Sequence, residues 1–140
     1  MKIRLTTPAD LDVVIGIDPV AQAEAPRRKF LEAALESGEC WLAERAGLPL
    51  GFVVLQYSFY GNGFVPLLVV EPAFRRQGVG RALLEYVASA CTTSKLFTST
   101  NESNTAMRSL LAGARFEPSG IIHNLEPGDP ELVFFRLLRP

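Results

Sequence analysis

Apolar residues recur along the chain at two different spacings, which predict strands and helices in alternation. A spacing of two, or a short continuous apolar run, predicts strands; these cover residues 3–5, 40–45, 50–57, 64–70, 95–100, 116–122 and 132–138. A spacing of three to four predicts amphipathic helices; these begin after Thr7, near Phe30, at Val79 and after a cap at Ser103. The order predicts an α/β (α+β) fold with a mixed sheet of six to seven strands and helices on both faces.

Two proline-containing segments interrupt this pattern. Gly16–Pro26 combines a glycine, two prolines and polar residues, so it is expected to bend or loop. Phe64–Val70 is too apolar to face water on either side and is expected at the centre of the sheet. Because Pro66 lacks the N–H that a sheet ladder requires, we expect a bulge, a late strand start or a local splay there.

A glycine-rich turn, Arg75–Arg81 (RRQGVGR), connects the apolar run Val65–Val70 to the helical pattern of Ala82–Ala88. Strand, glycine turn and helix together form an arrangement that binds phosphate. The N–H groups at a helix start are unpaired, and the helix dipole favours an anion there. Glycines let the main chain approach that anion closely. The sequence therefore predicts a phosphate-bearing ligand at this turn.

Composition limits the possible partners. The 140 residues match one ordinary domain, so a single domain over 1–140 is expected. Charged residues make up 21% of the chain and the net charge is −1, which argues against binding nucleic acid or an anionic membrane through bulk charge. No apolar stretch approaches the about 20 residues that span a bilayer. Since Met1–Thr6 has no secretory hydrophobic region, a cytoplasmic location is expected.

The cysteine pattern gives no metal-binding spacing. Cys40 and Cys91 form no CxxC pair, and the chain has no cluster of histidines and cysteines. Both are therefore expected to be small buried hydrophobes, and no metal site is expected.

Two common phosphate motifs fit the turn poorly. A Walker loop, GxxxxGK[ST], has no match in the chain. A dinucleotide fingerprint, GxGxxG, finds Gly78 and Gly80 but then Leu83 in place of the last glycine, so that match is weak.

A third motif fits throughout its length. Leu68–Gly80, LVVEPAFRRQGVG, resembles the acetyl-CoA motif of the GNAT (GCN5-related) N-acetyltransferase family. In that motif a strand ends in valine, a proline follows, and [RQ]xxGxG/A opens a helix. Arg75, Gly78 and Gly80 occupy the fixed positions, and Pro72 occupies that of the frequent proline. The resemblance implies the GNAT acyl-CoA N-acyltransferase fold, with a splay after the fourth strand.

The resemblance extends beyond the motif. Asn104 and the apolar residues after it resemble the asparagine-led helix that lines the far side of the CoA groove in this family. Phe116 falls where the family usually has the phenylalanine of a Gly-Phe pair, although Arg115 replaces the glycine. The order of strands and helices also matches that of the family over most of the chain.

The resemblance implies that acetyl-CoA is the cosubstrate. Its pyrophosphate would lie on the N–H groups of Gln77–Arg81, and its pantetheine arm would pair with the end of the fourth strand through Leu68 and Val70. The implied cofactor-binding residues are Leu68, Val69, Val70, Arg75, Arg76, Gln77, Gly78, Val79, Gly80, Arg81 and Asn104.

The implied reaction is attack of an amine on the acetyl thioester in a ternary complex, with the Val70 N–H holding the thioester oxygen as it becomes an oxyanion. An alkyl ammonium with a pKa of about 10.4 is only about 0.1% free base at pH 7, so a side chain or an oriented water must take the proton. In many relatives a carboxylate of the fourth strand does this, and Phe64–Val70 contains none. Glu71 follows directly, but strand alternation relative to Val70 aims it elsewhere.

The usual general acid is also missing. The family's tyrosine lies seven residues after the helix-leading asparagine, and that position is Leu111 here. Tyr60 and His123, together with Val70, are the expected catalytic residues. Tyr60 borders the Gly61–Gly63 turn, where ordinary aromatic packing would explain it equally well. His123 is the only histidine, and a structural or exposed role stays open for it.

The expected function is therefore acetyl-CoA-dependent N-acetylation of a primary amine, on a small molecule or a peptide. Two alternatives stay open: a non-catalytic acyl-CoA-binding module or sensor, which the missing tyrosine and carboxylate favour, and a generic nucleotide-phosphate binder. Asp129 and Glu131 in the last hairpin could contact a cationic amine or lie in a solvated loop. A homodimer is possible by analogy with such folds.

Overall fold

The computed structural model describes residues 1–139. The strands are β1 Lys2–Leu5, β2 Cys40–Arg45, β3 Leu48–Phe59, β4 Asn62–Val70, β5 Lys95–Asn101, β6 Glu117–Ile122 and β7 Glu131–Leu137. The α-helices are α1 Leu11–Ile17, α2 Pro19–Ala23, α3 Ala25–Glu36, α4 Val79–Ala90 and α5 Thr105–Gly113. Short 3-10 helices occupy Pro8–Asp10 and Pro72–Phe74. Every predicted strand is present, with ends that differ by a few residues.

The seven strands form one mixed sheet in the order β1-β2-β3-β4-β5-β7-β6. β4 runs parallel to β5, whereas the β1–β2, β2–β3, β5–β7 and β6–β7 pairs are antiparallel. β4 has a strand on each side, which confirms the central position predicted from its apolar run. The predicted fold class, a mixed sheet combined with helices, is confirmed.

The chain divides into two compact units. The first comprises residues 1–54 and 67–86. Its core joins α1–α3 to β2 and β3, and burial stabilises each large apolar side chain there by about 1.5–3 kcal/mol. The buried members are Val14, Ile17, Ala21, Leu31, Ala34, Leu35, Cys40, Leu42, Phe52 and Val54. Leu67 and Val69 of β4 pack against this core from partly buried positions. The single domain over 1–140 stays a prediction.

The second unit comprises residues 55–66 and the chain from Val87 onwards. Partly buried aromatic rings in it are in contact from strand to strand. The centroid of the Phe59 ring lies 5.1 Å from that of Phe64 and 5.0 Å from that of Phe97. Phe97 in turn stacks on Phe135 at 5.8 Å. Such aromatic contacts contribute beyond the area they bury.

The segment Gly16–Pro26 is largely helical, with bends at Asp18 and Glu24, where the backbone is extended. The predicted bends are confirmed. The alternative of a loop is wrong, because the segment contains α2 and the start of α3. Pro19 and Pro26 lie in the first turns of these helices. Proline is tolerated there because the N–H it lacks would have no partner within the helix.

Pro66 marks the end of the pairing between β4 and β5. Their parallel register joins Gly63 to Leu96, Phe64 to Phe97 and Val65 to Thr98, and it stops there. Pro66 follows directly and has no N–H to offer a neighbouring strand. The predicted disruption of the ladder is thereby confirmed: within residues 1–139, β4 continues to Val70 beyond its register with β5.

Two further features of the described residues bear on partners. No helix in residues 1–139 combines the length and the apolar composition needed to cross a membrane. Over the same residues, no group of histidine, cysteine or acidic side chains is arranged to hold a metal ion.

Candidate functional site

The end of β4 presents backbone donors away from β3. The N–H of Glu71 donates to the carbonyl of Leu50 in β3 at 2.8 Å. Because successive N–H groups of a strand point to opposite sides, the N–H groups of Val70 and Leu68 point away from β3. Both residues are half-buried. The last residues of β4 thus carry backbone hydrogen-bonding groups on the edge where the register with β5 has ended.

The turn after β4 has an unusual backbone. A 3-10 turn over Pro72–Phe74 leads into it, and the N–H of Phe74 donates to the carbonyl of Glu71 at 2.8 Å. Arg76 and Gly78 both adopt the left-handed region, with φ angles of 63° and 82°. Left-handed residues in a turn can bring neighbouring N–H groups to one side of the chain, as happens in anion-binding nests.

The start of α4 continues this concave arrangement. The N–H of Ala82 donates to the carbonyl of Gly78 at 3.0 Å, so Gly78 accepts the first bond of the helix. The N–H groups of Val79, Gly80 and Arg81 precede that bond and have no carbonyl to reach within the helix. Val79 is 1% exposed, so its side chain anchors this end of the helix. The helix dipole adds partial positive charge at the same point.

Three arginines surround the turn. Arg75, Arg76 and Arg81 are all exposed, and within residues 1–139 none of them forms an ion pair with a carboxylate. The side-chain oxygen of Gln77 accepts a long hydrogen bond, 3.5 Å, from Arg45 of β2. The segment from Leu68 to Arg81 therefore brings together ten of the eleven predicted cofactor-binding residues by local chain geometry alone.

Asn104, the remaining predicted cofactor residue, has a structural partner. Its side-chain oxygen accepts a hydrogen bond from the N–H of Met107 at 3.1 Å, so Asn104 caps α5. The prediction of Ser103 as the cap is wrong, because the hydroxyl of Ser103 donates to Asp129 at 2.6 Å instead. Leu111, which stands in the position of the missing tyrosine, is fully buried in the same helix. It has no hydroxyl to donate and no exposure to a substrate.

The tyrosines around the Gly61–Gly63 turn differ in their contacts. The hydroxyl of Tyr57 accepts a hydrogen bond from the N–H of Thr92 at 3.1 Å. Tyr60 is 90% exposed, and its ring meets that of Phe59 edge to face at 5.1 Å. Its φ of 54° is strained for a residue with a side chain. A residue held exposed in such a conformation is a candidate for function.

His123 begins the segment that joins β6 to β7. His123, Asn124 and residues 126–130 of this segment line an open depression, and His123 itself is exposed. The carboxylate of Asp129 accepts hydrogen bonds from the N–H and the hydroxyl of Ser103, and that of Glu131 accepts one from Ser99 at 2.7 Å. The two acidic residues singled out in the sequence are thus bonded to neighbours of their own chain.

The partners of Glu131 and Glu126 have a signal in the sequence, the alternation of polar residues along β5. Ser99 and Asn101 alternate in β5 with the buried Thr98 and Thr100. Polar residues at every second position of a strand share one face. The amide of Asn101 donates to the carboxylate of Glu126 at 3.1 Å, which ties β5 to the same segment.

The Cys40 thiol is a poor nucleophile. Both cysteines are free and buried, as predicted. Burial raises the pKa of the Cys40 thiol to about 12, so this thiol stays protonated at neutral pH. A reaction through a cysteine thiolate therefore has no support from Cys40.

A central strand, a turn with left-handed residues and a helix start with unpaired N–H groups together form an α/β arrangement that is able to hold an anion. The family model of the GNAT acetyltransferase domain matches residues 36–112. The chain is also 32% identical to a GNAT-family acetyltransferase from Bacillus cereus, with 97% of this chain and 96% of that one covered at a TM-score of 0.91. The chain belongs to the GNAT acetyltransferase family, as the motif predicted.

More distant structures share the fold. The ribosomal-protein-S18-alanine N-acetyltransferase of Escherichia coli is 20% identical, with 99% of this chain and 94% of that one covered at a TM-score of 0.85. The yncA protein of Salmonella typhimurium, solved with its cofactor acetyl-CoA, is 18% identical, with coverage of 99% and 94% and a TM-score of 0.79. No curated protein sequence matches the chain significantly. The predicted cosubstrate, acetyl-CoA, is therefore one that a structure of the same fold holds.

Proposed function

We propose that this protein is an acetyl-CoA-dependent N-acetyltransferase, which moves an acetyl group to a primary amine by direct attack in a ternary complex. The observation that carries the proposal is the continuity of two backbone features. The N–H groups of Leu68 and Val70 point away from β3, and the chain then leads within a few residues into the anion-binding turn at the start of α4. A ligand with a pyrophosphate joined to an extended, amide-containing arm would meet these backbone donors in the same order.

In this proposal the backbone carries most of the CoA contact. The pyrophosphate lies on the N–H groups of Gln77–Arg81, where the helix dipole and the exposed guanidinium groups of Arg76 and Arg81 favour its charge. The pantetheine arm pairs with Leu68 and Val70 as a neighbouring strand would. Arg75, Val69 and Asn104 border the ligand as the family pattern implies. The cap made by Asn104 at α5 leaves its amide N–H₂ group able to donate.

The chemistry needs an oxyanion donor and a route for one proton. The neutral amine nitrogen forms a bond to the thioester carbonyl carbon while the carbonyl oxygen gains negative charge, which the Val70 N–H stabilises. The C–S bond then breaks, and CoA leaves as a thiolate. The amine loses one proton, and the thiolate gains one from water or from the protonated base, so atoms and charge balance. With a thiol pKa of about 8.5, the thiolate is a leaving group that needs no dedicated acid.

Tyr60 and His123 are the proposed proton carriers or water-orienting groups. Both are exposed, and within residues 1–139 neither side chain donates or accepts a hydrogen bond to another side chain or the backbone. Tyr57, by contrast, is engaged with Thr92. Leu111 excludes the acid that other family members use, so protonation of the thiolate must come from elsewhere.

The acceptor is proposed to be a primary amine on a small molecule or a peptide, and the protein to act in the cytoplasm, alone or as a homodimer. The E. coli neighbour is a ribosomal-protein-S18-alanine N-acetyltransferase, which supports a peptide as one kind of acceptor to test. The proposal involves neither nucleic acid nor a membrane.

The test is an acetyl-transfer assay against a panel of small amines and peptides, which detects free CoA. Turnover with at least one amine is expected, and it should fall in His123→Gln without loss of CoA affinity. Tight binding of CoA without turnover on any amine would instead support the second candidate, a non-catalytic acyl-CoA sensor, which the buried Leu111 favours. Equal affinities for ADP and CoA would indicate a generic phosphate binder.

A further inference from the structure

Gly51 of β3 lies against both parts of the proposed CoA site. A Cβ placed on Gly51 would lie 2.7 Å from the carbonyl oxygen of Val69 and 3.2 Å from the Cα of Val70. It would also lie 3.3 Å from a methyl carbon of Val79, the first residue of α4. The end of β4 and the start of α4 therefore both pack on the one position of β3 that has no side chain.

The first of these contacts cannot be relieved by a side-chain rotation. Real Cβ atoms essentially never approach another heavy atom within 3.0 Å, and the Val69 oxygen belongs to the backbone. Any side chain at position 51 would therefore move the peptide that carries the Val70 N–H. The contact with Val79, by comparison, involves a side chain, which can yield without moving the helix start.

A hydrogen bond fixes the same place. The carbonyl of Leu50, the residue before Gly51, accepts the N–H of Glu71 at 2.8 Å. The residues on either side of Val70 are thus located by Leu50 and Gly51 together, one through a hydrogen bond and the other through close packing. The direction of the Val70 N–H follows from this double constraint.

We infer that Gly51 is a positioning residue for the acetyl-transfer reaction: its lack of a side chain sets the Val70 peptide at the place where its N–H meets the developing oxyanion. This rests on the proposed function. Gly51 does not touch substrate in this account; it acts through Val69 and Val70. Displacement of the Val70 N–H should lower the rate of the chemical step more than it weakens the binding of CoA, because the N–H groups of the phosphate-binding turn are not moved.

The test compares Gly51→Ala with Gly63→Ala. Gly63 lies in β4 within the second unit, and a Cβ there would clash with the sulfur of Cys91, which is a side-chain atom and not part of the backbone. Both variants are expected to lose thermal stability. Only Gly51→Ala should lower kcat of the folded protein, by roughly tenfold or more since small misplacements of catalytic groups have effects of this size. Its Kd for CoA should stay close to that of the wild type. Gly120→Ala, where a Cβ meets nothing within 4 Å, should match the wild type throughout.

Crystal structures of the wild type and Gly51→Ala give a measurement that does not depend on turnover. The distance from the new Cβ to the Val69 oxygen should exceed 3.0 Å through movement of residues 69–70. An unmoved backbone there, or an unchanged kcat, would overturn the inference. So would an equal loss of kcat in folded Gly63→Ala. If the wild type turns over no amine, the proposed function fails, and the crystal structures still decide whether Gly51 sets the Val70 peptide.

A second variant covers the case in which Gly51→Ala does not fold. Val79→Ala removes the methyl carbon near Gly51 and gives the new side chain room while the contact with the Val69 oxygen remains. The double variant, Gly51→Ala with Val79→Ala, is relieved of the Val79 contact and should have a lower kcat than Val79→Ala alone. Equal kcat values for these two proteins would also overturn the inference.

Discussion

The turn Arg75–Arg81 and the segment His123–Pro130 both contain exposed polar residues. They differ in how far their polar groups are already hydrogen-bonded within the chain. In the turn, the N–H groups at the start of α4 have no helical partner, and the arginines form no ion pair within residues 1–139. In the segment, Asp129 is bonded to Ser103 and Glu126 to Asn101. The turn therefore has unpaired donors available to a ligand, whereas the segment uses much of its hydrogen-bonding capacity to hold its own conformation.

This difference shows that exposure of a polar residue does not by itself indicate a binding site. A solvated carboxylate in a loop is common, and its charge is easily satisfied by neighbouring hydroxyl and amide groups. Convergent backbone donors at a helix start are harder to satisfy internally, because chain geometry forbids the usual partner. This contrast favours the turn over the segment as the place where an anionic ligand would bind.

The largest effect on CoA binding should come from substitution of a glycine in the turn. A glycine with the same backbone conformation in the His123–Pro130 segment provides the control. Gly78 and Gly128 have φ angles of 82° and 75°, and a Cβ at either position would meet nothing within 4 Å. Valine at either site strains the backbone by roughly 1–3 kcal/mol. Gly78→Val should also weaken CoA binding by about a hundredfold or more, since several charge-assisted hydrogen bonds are lost together. Gly128→Val should leave CoA binding unchanged in calorimetric titration.

Equal CoA affinities in these two valine variants would contradict the assignment of the turn as the phosphate site. Unfolding in urea provides the control for stability, because the two variants should lose similar free energies of unfolding.

The next effect is expected on kcat and not on the Kd for CoA. Tyr60→Phe keeps the ring that packs edge to face on Phe59 and removes only the hydroxyl. If that hydroxyl handles a proton or orients water, kcat should fall by about a hundredfold while the Kd for CoA stays the same. Tyr57→Phe is the matched control: its hydroxyl accepts from Thr92, so its loss should affect stability and leave kcat unchanged. An unaltered kcat in Tyr60→Phe would remove Tyr60 from the mechanism.

The same contrast explains which parts of the molecule could be predicted from the sequence. The turn could be predicted because Leu68–Arg81 is one continuous stretch whose backbone conformation is encoded locally by glycines. The bonds of Asp129 to Ser103 join residues 26 positions apart, and no local pattern specifies them. The cap of α5 was assigned to Ser103 rather than Asn104 because both residue types favour that position, and only the engagement of Ser103 by Asp129 decides between them.

The role inferred for Gly51 could not be predicted from the sequence, for a related reason. A glycine inside an apolar strand has no periodic or chemical signature, and its importance comes from the approach of Val69 in the neighbouring strand. Likewise, the sequence predicts a bend or loop over α2, because Pro19 and Pro26 are residues that commonly interrupt a helix. At the first turn of a helix, however, proline is compatible with the fold.

A smaller effect should follow from loosening the His123–Pro130 segment. Asp129→Ala removes two hydrogen bonds to Ser103, one of them 2.6 Å long, and should cost about 1.5 kcal/mol of the free energy of unfolding. Because the phosphate-binding turn is untouched, the Kd for CoA should not change, whereas the KM for the amine should rise if this segment contacts the acceptor. Urea denaturation and steady-state kinetics measure these quantities. Ser103→Ala, which removes only the hydroxyl partner, should give a smaller loss of stability, and a rise in the Kd for CoA in Asp129→Ala would contradict the separation of the two regions.

The smallest effect tests whether the first unit depends on an ion pair near its N-terminus. Hydrogen bonds from Arg4, at 2.9 and 3.0 Å, lower the pKa of Asp10 from 3.8 to about 2. A lowered pKa means that the pair stabilises the fold at pH values above 3.8 and that this contribution is lost as the pH falls towards 2. The free energies of unfolding of the wild type and Asp10→Asn should therefore differ by less than about 1 kcal/mol at pH 7, because solvent screens the partly exposed pair. The difference should shrink as the pH falls through 2 and vanish below that value, while CoA affinity at pH 7 is the same in both proteins. A difference that persists below pH 2 would show that Asp10 stabilises the fold through its packing and not through its charge.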